Sequence, residues 1–351
     1  MTRRAVSLFS GAGGFDIGAD IAGWHVVWAN DMDKSACKTF EANWPGVVHH
    51  GDLNVLASTL CDQERGKIGM VFGGPPCQGF SSAGKQDKDD PRSKMIFTFL
   101  DVVSDLESPY FLMENVAALA KPKWKEVRDC FQEYAENLGY DLIWKVIRAC
   151  DFGIPQERNR LFVFGVKGRW SSLSKSSLDL ALQELHQKPP NLGALLRSLG
   201  KYGEIENPFS TGGAKITIMK NPSKKRHSGR IFNGGGASVD FEGLSRTIVA
   251  SGGNFTHIVD DGLLWGNATY DWVGNLYDII HQKEIGSYPP MPEHIRRMTN
   301  IEAAAIQTFP PDHIFCGSAS AVTRQIGNAV PAKLGEAMFK AFNILIETHK
   351  I

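Results

Sequence analysis

Apolar runs that stop abruptly on glycine or polar residues constrain this chain more than any other feature. Ala5–Phe9 runs into Ser10-Gly11-Ala12-Gly13-Gly14, His25–Ala29 is closed by Asp31, and Val47–His49 precedes Gly51-Asp52. Ile68–Phe72 ends in Gly73-Gly74-Pro75-Pro76-Cys77, and Tyr110–Met113 ends in Glu114-Asn115. Helical spacing fills the gaps, as near Lys34–Ala42 and along Trp124, Val127, Phe131, Tyr134 and Leu138 before Gly139. Leu142–Ala149 and Leu161–Val166 read as two further strands. Strands alternating with helices predict an α/β domain with a mainly parallel sheet over the first 174 residues. In such folds ligands bind at the carboxyl ends of the strands.

Beyond that point the pattern weakens. Ser171–Ser177 is serine-rich, and the next hundred residues carry Gly, Asn and Pro with few periodic segments. A second, smaller domain of short strands and long loops is expected over 175–324, ending in a helix near Thr299–Ile306. A final helix after Pro331 carries Leu334, Met338, Phe342 and Leu345 on one face, so 325–351 should return to complete the first domain. At 351 residues and 42% hydrophobic content the chain can bury such a core. Its 38 basic and 38 acidic residues cancel, so a polyanionic partner would need a locally basic cleft. The six cysteines show no paired spacing, so neither zinc nor a disulfide framework is expected. No apolar run reaches the length of a membrane span, and the first ten residues lack the apolar core of a signal peptide. A cytoplasmic monomer is the expectation.

The first turn suits a nucleotide-like cofactor, because glycines let the backbone approach a ligand closely. Gly11, Gly13 and Gly14 lack full phosphate-loop spacing, which favours an adenosine-bearing cofactor without pyrophosphate. Asp31 stands about twenty residues on, where a carboxylate can accept from a ribose; Asp52 closes the third strand. Phe9 reads equally as core or as a ring for stacking. Cys77, between stiffening prolines and a polar stretch reaching Arg92, lies just beyond a strand's carboxyl end, where open α/β sheets bind ligands, with the following stretch read as a loop that closes over substrate. Glu114 ends a strand on the same edge. Gln156-Glu157-Arg158-Asn159-Arg160 would put alternate arginines on one face. Lys224, Lys225, Arg226 and Arg230 read equally as a solvated run or as phosphate contacts.

Taken in order, these segments resemble the cytosine-5 DNA methyltransferases over almost the whole chain. Phe9–Gly14 is similar to that family's first cofactor motif and Pro75-Pro76-Cys77-Gln78 to its catalytic motif. Glu114-Asn115-Val116, Gln156-x-Arg158-x-Arg160, Arg297–Pro310 and Gln325–Pro331 resemble its later motifs. The resemblance implies a Rossmann-like domain that binds S-adenosylmethionine, with residues 175–290 in the place of the variable target-recognition domain. It implies Cys77 as nucleophile, Glu114 acting on the base, and Arg158 and Arg160 holding the base oxygen, a phosphate or the catalytic carboxylate. Phe9, Asp31, Met32, Asp52, Pro76, Met95 and Asn328 would line the cofactor site, and Gln78, Ser81 and Arg92 would contact double-stranded DNA. A flipped-out cytosine follows from the same likeness. A cognate restriction endonuclease in the same cell is left open. The chain departs from the pattern at Asp31, where glutamate is common, at Ile301 and Ala305, where arginines are usual, and at Thr323, which replaces a frequent aromatic. Transfer-RNA methylation by a relative with the same motifs is the nearest rival. A catalytically silent DNA-binding paralogue is disfavoured by the presence of Cys77, Glu114 and the arginines together, and a flavin or nicotinamide oxidoreductase leaves the Cys77 motif unexplained.

Overall fold

The computed structural model describes residues 3–76, 95–170, 172–200, 243–250, 257–259 and 295–349. Seven strands form the central sheet: β1 (Arg4–Leu8), β2 (His25–Asp31), β3 (Val48–His50), β4 (Met70–Gly73), β5 (Tyr110–Val116), β6 (Tyr140–Arg148) and, after a two-residue β7 (Gln156–Glu157), β8 (Asn159–Lys167). Their order is β3-β2-β1-β4-β5-β8-β6. The first five are parallel; β8 enters antiparallel between β5 and β6. The order reverses at β1, which neighbours both β2 and β4, so a crevice opens at the carboxyl ends there.

Helices cover both faces, and this explains why the central strands are continuous apolar runs. Along β4, β5 and β8 alternate residues go to opposite cores. Met70, Phe72, Tyr110, Leu112, Phe162 and Phe164 join one cluster, and Val71, Phe111, Met113, Leu161 and Val163 the other. On the first face lie α1 (Gly14–Ile21) and the C-terminal helix; on the second lie α3 (Leu53–Glu64), α4 (Met95–Asp105) and α5 (Lys125–Asn137). Between β2 and β3 runs α2 (Lys34–Asn43), whose N-cap Asp33 accepts from Ser35 N at 2.8 Å.

The expected boundary at 174 falls inside a helix, α6 (Ser172–Glu184), and the adjoining α7 (Leu192–Arg197) replaces the strands and loops expected there. Leu178, Ala181 and Leu182 are buried in the first-face core beside Phe342 and Leu345, so the serine-rich start masks an apolar stripe. The chain closes with α8 (Asn300–Ile306), α9 (Ala319–Asn328) and α10 (Ala332–His349). Thr299 and Glu302 form a reciprocal capping box at the start of α8. Leu334, Met338, Phe342 and Leu345 of α10 pack back on the first domain with Phe15 of α1. Within the expected second domain the described strands are short: β9 (Ser245–Arg246) pairs parallel with β7, and β10 (His257–Val259) pairs antiparallel with β11 (Ile295–Arg297).

Candidate active site

The carboxyl ends of β1, β2, β4 and β5 bring most of the singled-out residues that are described to one edge. The turn after β1 is tight: Ser10 N donates to Asn30 O at 2.8 Å and Gly13 N to Ser10 O at 3.0 Å. Phe9 and Gly11 both have left-handed backbone, φ 56° and 57°. The glycines divide the work. A Cβ on Gly11 would meet nothing within 4 Å, so its flank is open. Gly13 has φ 85°, and a Cβ there would stand 2.4 Å from the Trp44 ring, so no side chain fits without moving the tryptophan. Gly14 is pressed against the Val330 carbonyl in the same way. Gly11 therefore borders open space, while Gly13 and Gly14 let the turn pack down.

Asp31 is tied into that turn. Its Oδ2 accepts from Gly11 N at 2.8 Å and its Oδ1 from Asp33 N at 2.7 Å. Burial pushes its pKa up, and these two amides oppose the rise. Asp31 thus fixes the glycine turn as well as facing the crevice. Met32, next to it, leaves 67% of its surface exposed, an apolar side chain at the mouth of the cleft. Asp52 is the N-cap of α3, accepting from Asn54 N at 2.9 Å, and Asn54 Nδ2 reaches the Met95 sulfur at 3.9 Å. That chain of contacts sets Asp52 and Met95 side by side. Asn328 ends α9 with its side chain exposed, between buried Gly327 and Ala329. An open glycine flank, an exposed methionine and an exposed asparagine are what a flat, adenosine-bearing ligand needs, so the residues fit such a group.

The other half of the crevice is charged. Glu114, 9% exposed at the end of β5, accepts from Arg160 Nε at 2.9 Å. Burial raises the Glu114 pKa; the nearby charges of Arg160 and Arg158 pull it the other way. A Cβ on Gly74 would lie 3.1 Å from Glu114 Oε2, so the carboxylate overlooks the chain that leads to Pro76. Asn115 Nδ2 holds the Pro75 carbonyl at 3.2 Å, pinning that approach to β5.

Arg158 departs from the expectation of two arginines on one face. It is 1% exposed; Nη1 donates to Ile248 O at 3.0 Å, and Nη2 to Ala329 O at 2.7 Å and Gly327 O at 3.3 Å. The cause is local: Arg158 N bonds to Gln156 O, two residues back, and this tight turn breaks the period-two alternation. Arg160 bonds Glu114, and Arg158 donates to main chain. Sequence reasoning also passed over Gln156 and Gln307, whose side chains join at 2.8 Å in the interior. Both lie within motifs already quoted, and uncharged residues flanking charged ones were the available signal. Cys77, Gln78, Ser81, Arg92, Lys224, Lys225, Arg226 and Arg230 lie outside the described residues.

Comparison with known proteins fits this crevice. The pattern of the C-5 cytosine-specific DNA methylases matches residues 3–343. The Type II methyltransferase M1.HphI of Haemophilus parahaemolyticus is 31% identical, over 97% of this chain and 87% of its own. M.MthTI of Methanothermobacter thermautotrophicus is 31% identical, over 97% of both. Among solved structures, a putative DNA modification methyltransferase encoded within an E. coli prophage superposes with a TM-score of 0.66 at 22% identity, covering 98% of this chain and 99% of that one. The S. pombe Dnmt2 methyltransferase does so with 0.66 at 18%, covering 99% of each, and these two likenesses show the fold. The chain therefore belongs to the C-5 cytosine-specific DNA methylase family, as a DNA methyltransferase whose methyl donor is S-adenosylmethionine.

Proposed function

We propose that the enzyme methylates C5 of a cytosine swung out of duplex DNA, by way of a transient bond between Cys77 and C6 of the ring. The observation that carries this reading is Glu114: a buried carboxyl with a raised pKa, held by Arg160 and overlooking the chain just before Cys77. Cytosine C5 is a weak nucleophile, so a group must first add to C6. A thiolate suits that step because it attacks readily and leaves again. An unperturbed cysteine is largely protonated at neutral pH, so Cys77 needs electropositive surroundings. Glu114, whose protonated form burial favours, donates to N3 as the Cys77 sulfur bonds C6; the ring electrons move to C5. Arg160 orients the Glu114 carboxyl, and Arg158 is a positioning residue that holds the main chain behind it. S-adenosylmethionine, when bound along Gly11, Asp31, Met32, Asp52, Met95 and Asn328, supplies an electrophilic methyl group on a sulfonium sulfur. Loss of the C5 proton then restores the C5–C6 double bond and expels the Cys77 thiolate.

The base must leave the stack for this geometry, at about a few kcal/mol. Residues 175–290 stand in the place of the variable target-recognition domain, with Lys224, Lys225, Arg226 and Arg230 as phosphate contacts and Gln78, Ser81 and Arg92 closing on the DNA. The Type II relatives favour a restriction–modification setting with a cognate endonuclease. Purified protein should move labelled methyl groups from S-adenosylmethionine to unmethylated duplex DNA, and Cys77→Ala should not. DNA carrying 5-fluorocytosine should trap a covalent adduct, since its C5 substituent cannot leave as a proton. Transfer to transfer RNA with none to DNA would overturn the DNA reading, and active enzyme that forms no adduct would overturn the addition step.

A further inference from the structure

Behind the catalytic carboxylate lies a buried polar network that the chemistry above does not use. Gln156, fully buried, accepts from Ile248 N at 2.9 Å and donates to Gln307 Oε1 at 2.8 Å. Gln307, also fully buried, donates to Ile326 O at 2.6 Å and Ala329 O at 3.2 Å. Arg158 spans the same two groups of main chain, from Ile248 O to Gly327 O and Ala329 O. Both polar atoms of the Ile248 peptide pair are therefore held by β7 and its following turn. Packing reinforces the bonds: a Cβ on Gly327 would stand 2.3 Å from Ala250 N and from Val249 C, so the two backbones touch.

Each end of this network abuts a different binding function. Ile248 lies in residues 243–250, within the stretch assigned above to target recognition. Gly327 and Ala329 flank Asn328, assigned above to the cofactor. Apart from the Gln156–Gln307 bond itself, the Gln156, Arg158 and Gln307 side chains reach main chain at both ends, and the Thr247 hydroxyl adds a bond from the 243–250 end to Glu157 O. A displacement of 245–250 on DNA binding is thus passed to the 326–329 turn, because leaving any of these buried groups unpaired is unfavourable.

We propose that Gln156, Arg158 and Gln307 form a latch that couples DNA binding to cofactor binding, each favouring the other. This rests on the reading of 243–250 as part of the DNA-recognising region. The coupling is reciprocal, as linkage requires. Gln156 and Gln307 act as positioning residues: they touch neither substrate.

The test measures binding of S-adenosylhomocysteine, which cannot react, by calorimetry with the full-length protein. It is done with and without a duplex carrying the sequence that the wild type methylates, found by mapping 5-methylcytosine. Wild type should bind at least ~5-fold tighter with the duplex present. Gln156→Met and Gln307→Met should each cut that enhancement below ~2-fold, and the double variant should lose little more, because the bonds run in series. Gln156→Glu, which keeps the acceptor for Ile248 N and removes the donor to Gln307, serves if the methionine variants fold poorly. Lower melting temperatures with the enhancement intact would overturn the latch, as would a wild type with no enhancement. A wild type that leaves no 5-methylcytosine in DNA would instead overturn the functional reading, and the latch with it.

Discussion

At the ends of β1 and β2 the cleft is walled by main chain and lightly held side chains: the Gly11 amide on Asp31, an exposed Met32, an exposed Asn328. At the ends of β5 and β8 it is walled by buried charge, with Glu114 on Arg160 and Arg158 enclosed among carbonyls. The contrast follows from what each wall must do. A cofactor held by shape and backbone tolerates changes of side chain. Proton transfer to a base needs one carboxyl in one protonation state, and on that wall Glu114 is buried against Arg160. Substitutions should therefore cost most on the charged wall and act there on the chemical step, while those on the cofactor wall should act on binding.

The largest effect is expected at Glu114. Glu114→Gln keeps the volume and removes the acid, so kcat for methyl transfer should fall by about 10²–10⁴ with little change in KM for S-adenosylmethionine. A fall confined to KM would erase the contrast between the walls. Arg160→Met comes next. Breaking a buried ion pair costs about 3–5 kcal/mol when the partner stays charged, but Glu114 can escape by holding its proton. Its pKa, already raised by burial, then loses an opposing charge and rises further. In the proposed mechanism Glu114 acts as an acid, so the alkaline limb of kcat/KM should move to higher pH. A limb that stays in place would break the proposed pairing.

The third prediction lies beneath the cofactor wall. Asp16, on α1 directly after the glycine turn, is fully buried, and its pKa is pushed up to about 8 by burial, offset in part by the Ser7 hydroxyl on β1. A folded-state pKa above the unfolded value of 3.8 means the protonated group is accommodated at low pH and stability is lost as pH rises towards 8. Asp16→Asn should match wild type near pH 4 and exceed it increasingly up to pH 8, by about 5 kcal/mol from the size of the shift. Denaturant melts across that range measure it. Equal stabilities at pH 8 would place an unrecognised partner at Asp16.

How much of this could be read from residues alone varies with the local physics. Strands punctuated by glycine, proline and aspartate were legible because punctuation and burial coincide, and β1, β2, β4 and β5 lie within two or three residues of expectation at each end. Helix α4 has no counterpart in the sequence reading, although Ile96, Phe99, Leu100 and Val103 are buried at helical spacing. In α3 only Leu53, Leu60 and Cys61 are buried, too few to set a period. The Glu114 wall was visible as residue types at strand ends. The inward turn of Arg158 was not, since a bond between residues 156 and 158 decides it and alternation assumes a regular strand. Nor could spacing show that Asp31 holds the Gly11 amide as well as facing the crevice, because that contact joins two strands.

The smallest effect should come from Met32, and it separates the two walls most cleanly. Its side chain is mostly exposed at the end of β2, so truncating it removes little buried surface, and Met32→Ala should leave the melting temperature within about 1 °C. If a flat ring covers that methionine when the cofactor binds, the variant forfeits contact worth about 1 kcal/mol. The KM for S-adenosylmethionine should then rise about fivefold. That contact is the same before and during methyl transfer, so kcat should not change. Glu114→Gln on the charged wall should not behave this way, because the proposed reaction moves the Glu114 proton. A fall in kcat for Met32→Ala at saturating cofactor would mean that the methionine steers the reacting methyl group, and the division between a binding wall and a chemical wall would have to be redrawn.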